Sequence, residues 1–256
     1  MESSTLSQPA LKMIAAYEHL PFEHTTVVCP YFINRRQRIR GALRALVGKG
    51  SPDDIVEEAV IIALKEKVDL KSLDAEGLKK FLVDHKLGID CSGFVYYVLD
   101  AELRARNMGA LKKHLRFPDR MSLLRKLIAK FRPVENTDVG VLVEDTNSAI
   151  VSLDRARAGD IITMRGIGQA QDRDHVLLVS AVDASAIHYA HAFQWSTDGK
   201  YLHGIKKGRI EILDPKKSLL EERWVEAGKI GEDSETYRHA KKTQMIELRR
   251  LNILEN

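Results

Sequence analysis

The chain has 256 residues, of which 44% are hydrophobic and 30% charged; this composition fills a globular core and excludes wholesale disorder. Its 40 basic and 36 acidic side chains leave a net charge of +4, too small to single out a nucleic-acid or membrane partner. Two cysteines, Cys29 and Cys91, are too few for a disulfide framework or a four-thiolate zinc site.

Met1 to Gln8 is polar and lacks the basic patch and apolar run of a secretory leader, so a cytoplasmic location is expected. No apolar stretch reaches the length of a membrane span, and no membrane partner is expected. Leu11 to Tyr17 is a short amphipathic segment. Arg35 to Val47 carries Ile39, Leu43, Leu46 and Val47 at helical spacing, which predicts a helix that Gly48-Lys49-Gly50 stops. Ser51-Pro52-Asp53-Asp54 then reads as a helix start, with Ser51 as cap, Pro52 in the first turn and two acids at the positive helix end. That helix runs to about Lys67, and another covers Asp74 to His85 before Gly88. Gly48-Lys49-Gly50-Ser51 fails the spacing of a phosphate-binding loop and follows no strand, which argues against nucleotide hydrolysis.

The most informative stretch is Gly88-Ile89-Asp90-Cys91-Ser92-Gly93-Phe94. Asp90 is a good N-cap, and Phe94, Val95, Val98 and Leu99 recur at helical spacing behind it. Cys91 is thus expected in the first turn of a helix, where free N–H groups and the helix dipole lower a thiol's pKa. Gly93 would let a substrate or another chain approach closely. A buried core cysteine gives the same local pattern.

From Arg104 to Arg132 the chain is basic and helix-like, with Asp119 its only aspartate; Leu111, Leu115, Leu123, Leu124, Leu127 and Ile128 form an apolar face. Together with residues 35–49 this basic segment is a candidate site for an anionic partner; a solvated helix face balanced by acids elsewhere is the plainer reading. Beyond Asp160 the pattern turns to short β-rich runs at Asp160 to Met164, His175 to Ser180, Ala186 to His191 and Arg209 to Leu213. Turn signals lie at Val182 to Ser185 and Thr197 to Lys200. The tail from Lys216 reads again as helix-like and highly charged. Helices first and an antiparallel strand set afterwards indicate an α+β fold.

A helix-start cysteine needs a base and a residue to orient that base before it acts as a nucleophile. His175 opens one strand, and His188 and His191 lie on the next. This order resembles that of papain-like hydrolases. Asp90-Cys91-Ser92-Gly93-Phe94 resembles the nucleophile motif of the NlpC family of papain-like cysteine peptidases. Arg157-Ala158-Gly159-Asp160-Ile161-Ile162, Asp174-His175-Val176 and Ala190-His191-Ala192 resemble its strand entry, its base strand and its third-residue strand. The resemblance covers roughly Leu87 to Leu213.

The resemblance implies a papain-like core whose nucleophile helix packs on a small antiparallel sheet, with mainly helical additions. Residues 1–86 would be a helical N-terminal extension, 87–215 the catalytic core with the basic insert 104–132, and 216–256 a charged C-terminal extension. It further implies amide hydrolysis through a thioester: Cys91 attacks, His175 shuttles the proton and His191 orients it. His188 is the alternative third residue, because strand register is open at this point. Pro30-Tyr31 resembles the family's Pro-Tyr element, which makes Tyr31 a candidate for oxyanion or substrate contact together with Ser92; N–H groups at the helix start are further oxyanion donors.

The substrate implied is a small peptide, such as a peptidoglycan fragment. The basic insert, the missing leader and the lack of a wall-binding repeat depart from the family's usual pattern. No cofactor motif and no zinc-ligand spacing is present, so neither cofactor nor metal is expected. Two other functions fit the same residues. One is acyl transfer on the same scaffold; the other is a non-catalytic module that holds nucleic acid or an acidic partner with its basic clusters.

Overall fold

A computed structural model of the chain describes residues 2–33, 43–118, 122–168 and 170–255. Strand β1 (Ser4–Thr5) leads into helix α1 (Gln8–Glu18), followed by the short hairpin of β2 (Leu20–Pro21) and β3 (Thr26–Val27). Helix α2 (Pro52–Glu66) starts at Ser51, whose hydroxyl accepts from Asp54 N–H while the Asp54 carboxylate accepts from Ser51 N–H. This reciprocal cap fits the sequence pattern and satisfies two donors of the first turn. Helix α3 (Ala75–Asp84) is capped by Asp74, and α4 (Cys91–Ala105) by Asp90. Three shorter helices follow: α5 (Leu123–Phe131), α6 (Pro133–Asn136) and α7 (Val139–Leu142).

The rest is mostly strand: β4 (Ser148–Ile150), β5 (Ile161–Ile167), β6 (Arg173–Val182), β7 (Ala186–Phe193), β8 (Gly204–Glu211), β9 (Arg223–Glu226) and β10 (Lys229–Ile230). Helix α8 (Glu235–Ala240) and strand β11 (Met245–Leu251) close the chain. The strands form one antiparallel sheet in the order β10-β9-β8-β7-β6-β5-β11-β4, with β1 also paired to β6. The α+β architecture is therefore a helical layer on a twisted antiparallel sheet.

Alternation along the strands divides the core in two. Val176, Leu178, Ala190 and Ala192 join α1 to α4 in one apolar cluster, whereas Leu177, Val179, Ile187 and Tyr189 join Trp224, Ile210 and Leu248 in the other. Phe94, Val95, Val98, Leu99 and Leu103 of α4 are fully enclosed by α1 and the sheet. Burial contributes about 1.5–3 kcal/mol for each such large side chain, against about 0.3–1 kcal/mol for a charge at a helix end. Core packing therefore places the cysteine helix.

Three sequence expectations change. Arg35, Arg36, Arg38 and Arg40 and the helix predicted over them lie mostly outside the described residues; the described end, Arg44–Val47, is a 3-10 turn that stops at Gly48 in the left-handed region. In the basic insert Leu111 and Leu115 are buried, but Leu124, Leu127 and Ile128 of α5 are exposed, because this short helix turns that side away from the core. The tail from Lys216 is not helix-rich: it supplies β9, β10 and β11, and the last lies inside the sheet between β5 and β4. Its arginines mask this role in the sequence. Arg250 is buried on Asp160 at 2.7 Å, and Arg249 reaches Asp145 and Glu247.

Candidate active site

The cysteine helix begins in a polar knot. The Asp90 carboxylate accepts from Gly93 N–H at 2.6 Å, from the Ser92 hydroxyl at 3.1 Å and from Lys49 Nζ at 2.9 Å. The Lys49 ammonium also donates to Ser92 Oγ at 2.6 Å and to the Thr137 carbonyl at 2.9 Å, so all three of its hydrogens are used. Gly48-Lys49-Gly50 thus serves the helix start: Gly48 O accepts from Asp90 N–H at 2.8 Å. At Gly93 a Cβ would come within 2.8 Å of Ile89 Cδ1 and 3.1 Å of Gly48 O. The close approach foreseen at this glycine is made by the protein's own chain.

Cys91 is only 4% exposed. Burial pushes its thiol up to about 12, and the Asp90 carboxylate adds to this; Lys49 and the backbone N–H groups of Val176 and Ser92 pull the other way. The lowered thiol pKa expected from the helix start is therefore reversed. A helix end supplies under about 1 kcal/mol, whereas full burial shifts a group by up to about 3–5 pKa units of 1.36 kcal/mol each. Val176, whose N–H acts on the sulfur, is the residue after His175. Cys91 thus lies against the start of β6. Among the described residues no hydrogen bond joins the Cys91 thiol to the His175 ring. Cys29 is wholly buried, donates to Pro30 O at 3.5 Å and is also raised to about 12 by burial.

His175 Nε2 lies 2.7 Å from His191 Nδ1, and the two rings are 2% and 0% exposed as residues. His188 is elsewhere: its Nε2 meets Asp183 Oδ2 at 2.8 Å by the β6–β7 turn, partly in solvent. The structure thus brings His191 to His175 and does not bring His188. Burial, with the charges of His191 and His239, holds the His175 imidazolium well below the ordinary histidine range. Phe193 covers His175 with ring centroids 4.5 Å apart.

Behind His191 stands a network that the sequence did not reveal. Thr236 Oγ1 is 3.4 Å from His191 Nε2 and donates to Glu226 Oε1 at 2.6 Å. Glu226 also accepts from Tyr189 OH, Ser234 Oγ and Thr236 N–H, and its Oε1 is 3.6 Å from His191 Nε2. Burial raises the Glu226 carboxyl, but its bonds to His191 and Thr236 outweigh that and leave it below its ordinary value, hence ionised at neutral pH. An ionised carboxylate only accepts, so the proton stays on His191 Nε2 and His191 Nδ1 becomes an acceptor. His175 then donates from Nε2, which leaves its Nδ1 as the basic atom. The one sequence signal for Glu226 is its place directly after the apolar pair Trp224-Val225.

Tyr31, far from Cys91 in sequence, runs beside the motif: it bridges Ile89, and its N–H donates to His203 Nδ1 at 3.0 Å. Its ring is 6.1 Å from that of Phe193. Helices α2 and α3 lie between the two in sequence. The Ser92 hydroxyl is engaged with Lys49 and Asp90, which leaves its backbone N–H as the group presented to the thiol.

Of the basic clusters, Arg44 and Arg132 share Glu135, Arg104 pairs with Asp100, and Arg106 with Glu102. Among the described residues no group of three or more His, Cys, Asp or Glu side chains is placed to hold a metal ion, and no helix is long and apolar enough to cross a membrane. A family model described as NlpC/P60 family matches residues 76–229, more than half of the chain. No curated protein and no solved structure matches it.

Proposed function

The chain belongs to the NlpC/P60 family, and from that premise we propose that it is a cysteine hydrolase that cleaves an amide bond through a thioester on Cys91. The observation that carries the reading is the 2.7 Å contact of His175 with His191 beside the cysteine helix. The resting pair is a neutral thiol and a neutral imidazole, since burial raises one pKa and lowers the other.

On attack the Cys91 proton passes to His175 Nδ1 as sulfur bonds to the substrate carbonyl carbon. N–H groups at the start of α4 receive the charge on the carbonyl oxygen. The His175 imidazolium, stabilised through His191 by Glu226, then gives its proton to the departing amine. Water, deprotonated by the same nitrogen, hydrolyses the thioester and frees the thiol. Tyr31 and Phe193 flank the approach to the base.

The substrate class follows from the family: a small peptide with acidic or D-amino acids, such as a peptidoglycan fragment. The test is release of new amino groups from such peptides by wild type and Cys91→Ala. Loss of at least about a thousandfold in kcat/KM is expected; retained hydrolysis by Cys91→Ala ends the proposal. The enclosure of Cys91 favours one second reading, acyl transfer, because a shielded thioester meets little water. Added amine acceptors that divert product from acid to amide would identify it.

A further inference from the structure

Away from Cys91, a cavity of about 760 Å³ opens between α3, the β3 edge and the segment that leads into β8. Val28, Lys79, Leu202, Ile205 and Lys206 line it. Its wall holds four lysines, and three of them are neutralised. Lys206 pairs with Asp198 at 2.7 Å, Lys80 with Glu76 at 2.6 Å and Lys200 with Asp84 at 2.7 Å.

Lys79 differs. It is 8% exposed, and its Nζ donates to two backbone carbonyls, Val28 O at 2.8 Å and His203 O at 2.6 Å. Among the described residues no carboxylate lies within ion-pair distance of this ammonium, and its third hydrogen has no acceptor. The pocket is built around it. A Cβ on Gly204 would fall 3.2 Å from Lys79 Nζ and 2.5 Å from the Cys29 carbonyl, so only glycine lets the backbone close over the amine. A buried charge whose hydrogen bonds go only to neutral carbonyls, with the Asp198 carboxylate acting on it from beyond ion-pair distance, is costly and favours an anion beside it.

We propose that this cavity binds a carboxylate carried on a short apolar stem, with Lys79 as the counter-ion. One unneutralised cation matches one negative charge; a phosphate dianion would meet the Asp198 and Glu76 carboxylates with no second free cation to offset them. Val28, 40% exposed, and Leu202, 73% exposed, offer the stem an apolar rim. Burial, with the charge of Lys206, lowers the Lys79 ammonium to about 8, so a bound anion would restore its proton. This binding does not depend on the chemistry at Cys91.

The carboxylate could belong to an acyl chain or to a peptide C-terminus, and the two sources are separable. Calorimetric titration of the full chain would use hexanoate for the first, N-acetyl-leucine for the second, and hexanol and inorganic phosphate as comparators. At pH 7 one of the carboxylates should bind about tenfold or more tighter than hexanol. At pH 8 its binding should take up as much as about half a proton, read from buffers of different ionisation enthalpy.

Lys79→Met should abolish the preference. Leu202→Glu, an exposed change at the rim that leaves the core intact, should weaken carboxylate binding more than hexanol binding, because both lose the apolar rim but only the carboxylate meets the added charge. Binding of hexanol or phosphate as tight as that of both carboxylates overturns the proposal. So does carboxylate binding that neither substitution alters.

Discussion

The Glu226 carboxylate lies 3.6 Å from His191 Nε2, with both side chains almost wholly removed from solvent. Thr236 stands between them, donating to Glu226 at 2.6 Å. This places a buried negative charge two steps from His175, in a segment well beyond the histidine strands. Glu226→Gln keeps the shape and removes the charge. It should lower kcat/KM about tenfold or more, and the acid limb of its pH profile should move to lower pH, because the His175 imidazolium loses stabilisation. Glu226→Asp should restore part of the limb, which a purely structural defect would not do.

The Lys49–Asp90 pair is expected to hold the helix start together. Both side chains are nearly enclosed, at 8% and 13% exposure. Lys49→Met leaves a buried carboxylate without its cation, at a cost of about 3–5 kcal/mol in urea unfolding. The double variant Lys49→Met/Asp90→Asn should lose less than the two singles together, since neither charge is then stranded.

Arg250 and Asp160 are 2% and 1% exposed and join β11 to the entry of β5. Arg250→Met should cost a similar amount, about 3–5 kcal/mol. Chemical denaturation and the yield of folded protein would both report it. A near-neutral result would show that the last strand is not held by this contact.

Acid should destabilise the fold early. Burial holds His175, His203 and His239 below the ordinary histidine value. In the unfolded chain they take up protons near pH 6.5, so the unfolded state gains protons first. Their contribution is present above that pH and is lost as pH falls through the unfolded value towards the lower folded ones. Urea midpoints measured from pH 7 to pH 5 should decline, and His175→Gln should flatten the decline.

Both thiols should resist alkylation in the resting protein. With a thiol pKa near 12, only about one part in 10⁵ is thiolate at pH 7. Iodoacetamide should therefore modify Cys91 far more slowly than a free thiol, and Cys29, with no exposure at all, more slowly still. Substrate peptide that opens the site should accelerate Cys91 alone. Equal rates at the two cysteines would contradict their different places in the fold.

Much of the fold was legible because its signals are local. Ser51 caps α2 as its place before Pro52 implies, and Asp90 caps α4. The alternating runs around His175 and His191 became β6 and β7. The tail was misread because a strand buried on both sides normally looks apolar, whereas Arg249 and Arg250 sit in β11 only by virtue of acids supplied from residues 145, 160 and 247. Likewise, the thiol pKa at Cys91 was read from a helix end, while its burial depends on chain packed over it from elsewhere.

By itself the sequence determined the Asp90-Cys91-Ser92-Gly93 motif, the helix start that presents it and the family. These rest on residues adjacent in the chain, where capping and periodicity act. Only the tertiary structure separated His191 from His188: with Leu178 paired to Ala190, the His191 ring meets His175, whereas His188 pairs with Ala181 near the far end of the strands. It also supplied Lys49, Glu226 and Thr236, whose side chains converge from separate segments. Such convergence depends on how sheet and helices pack, and no local pattern encodes it.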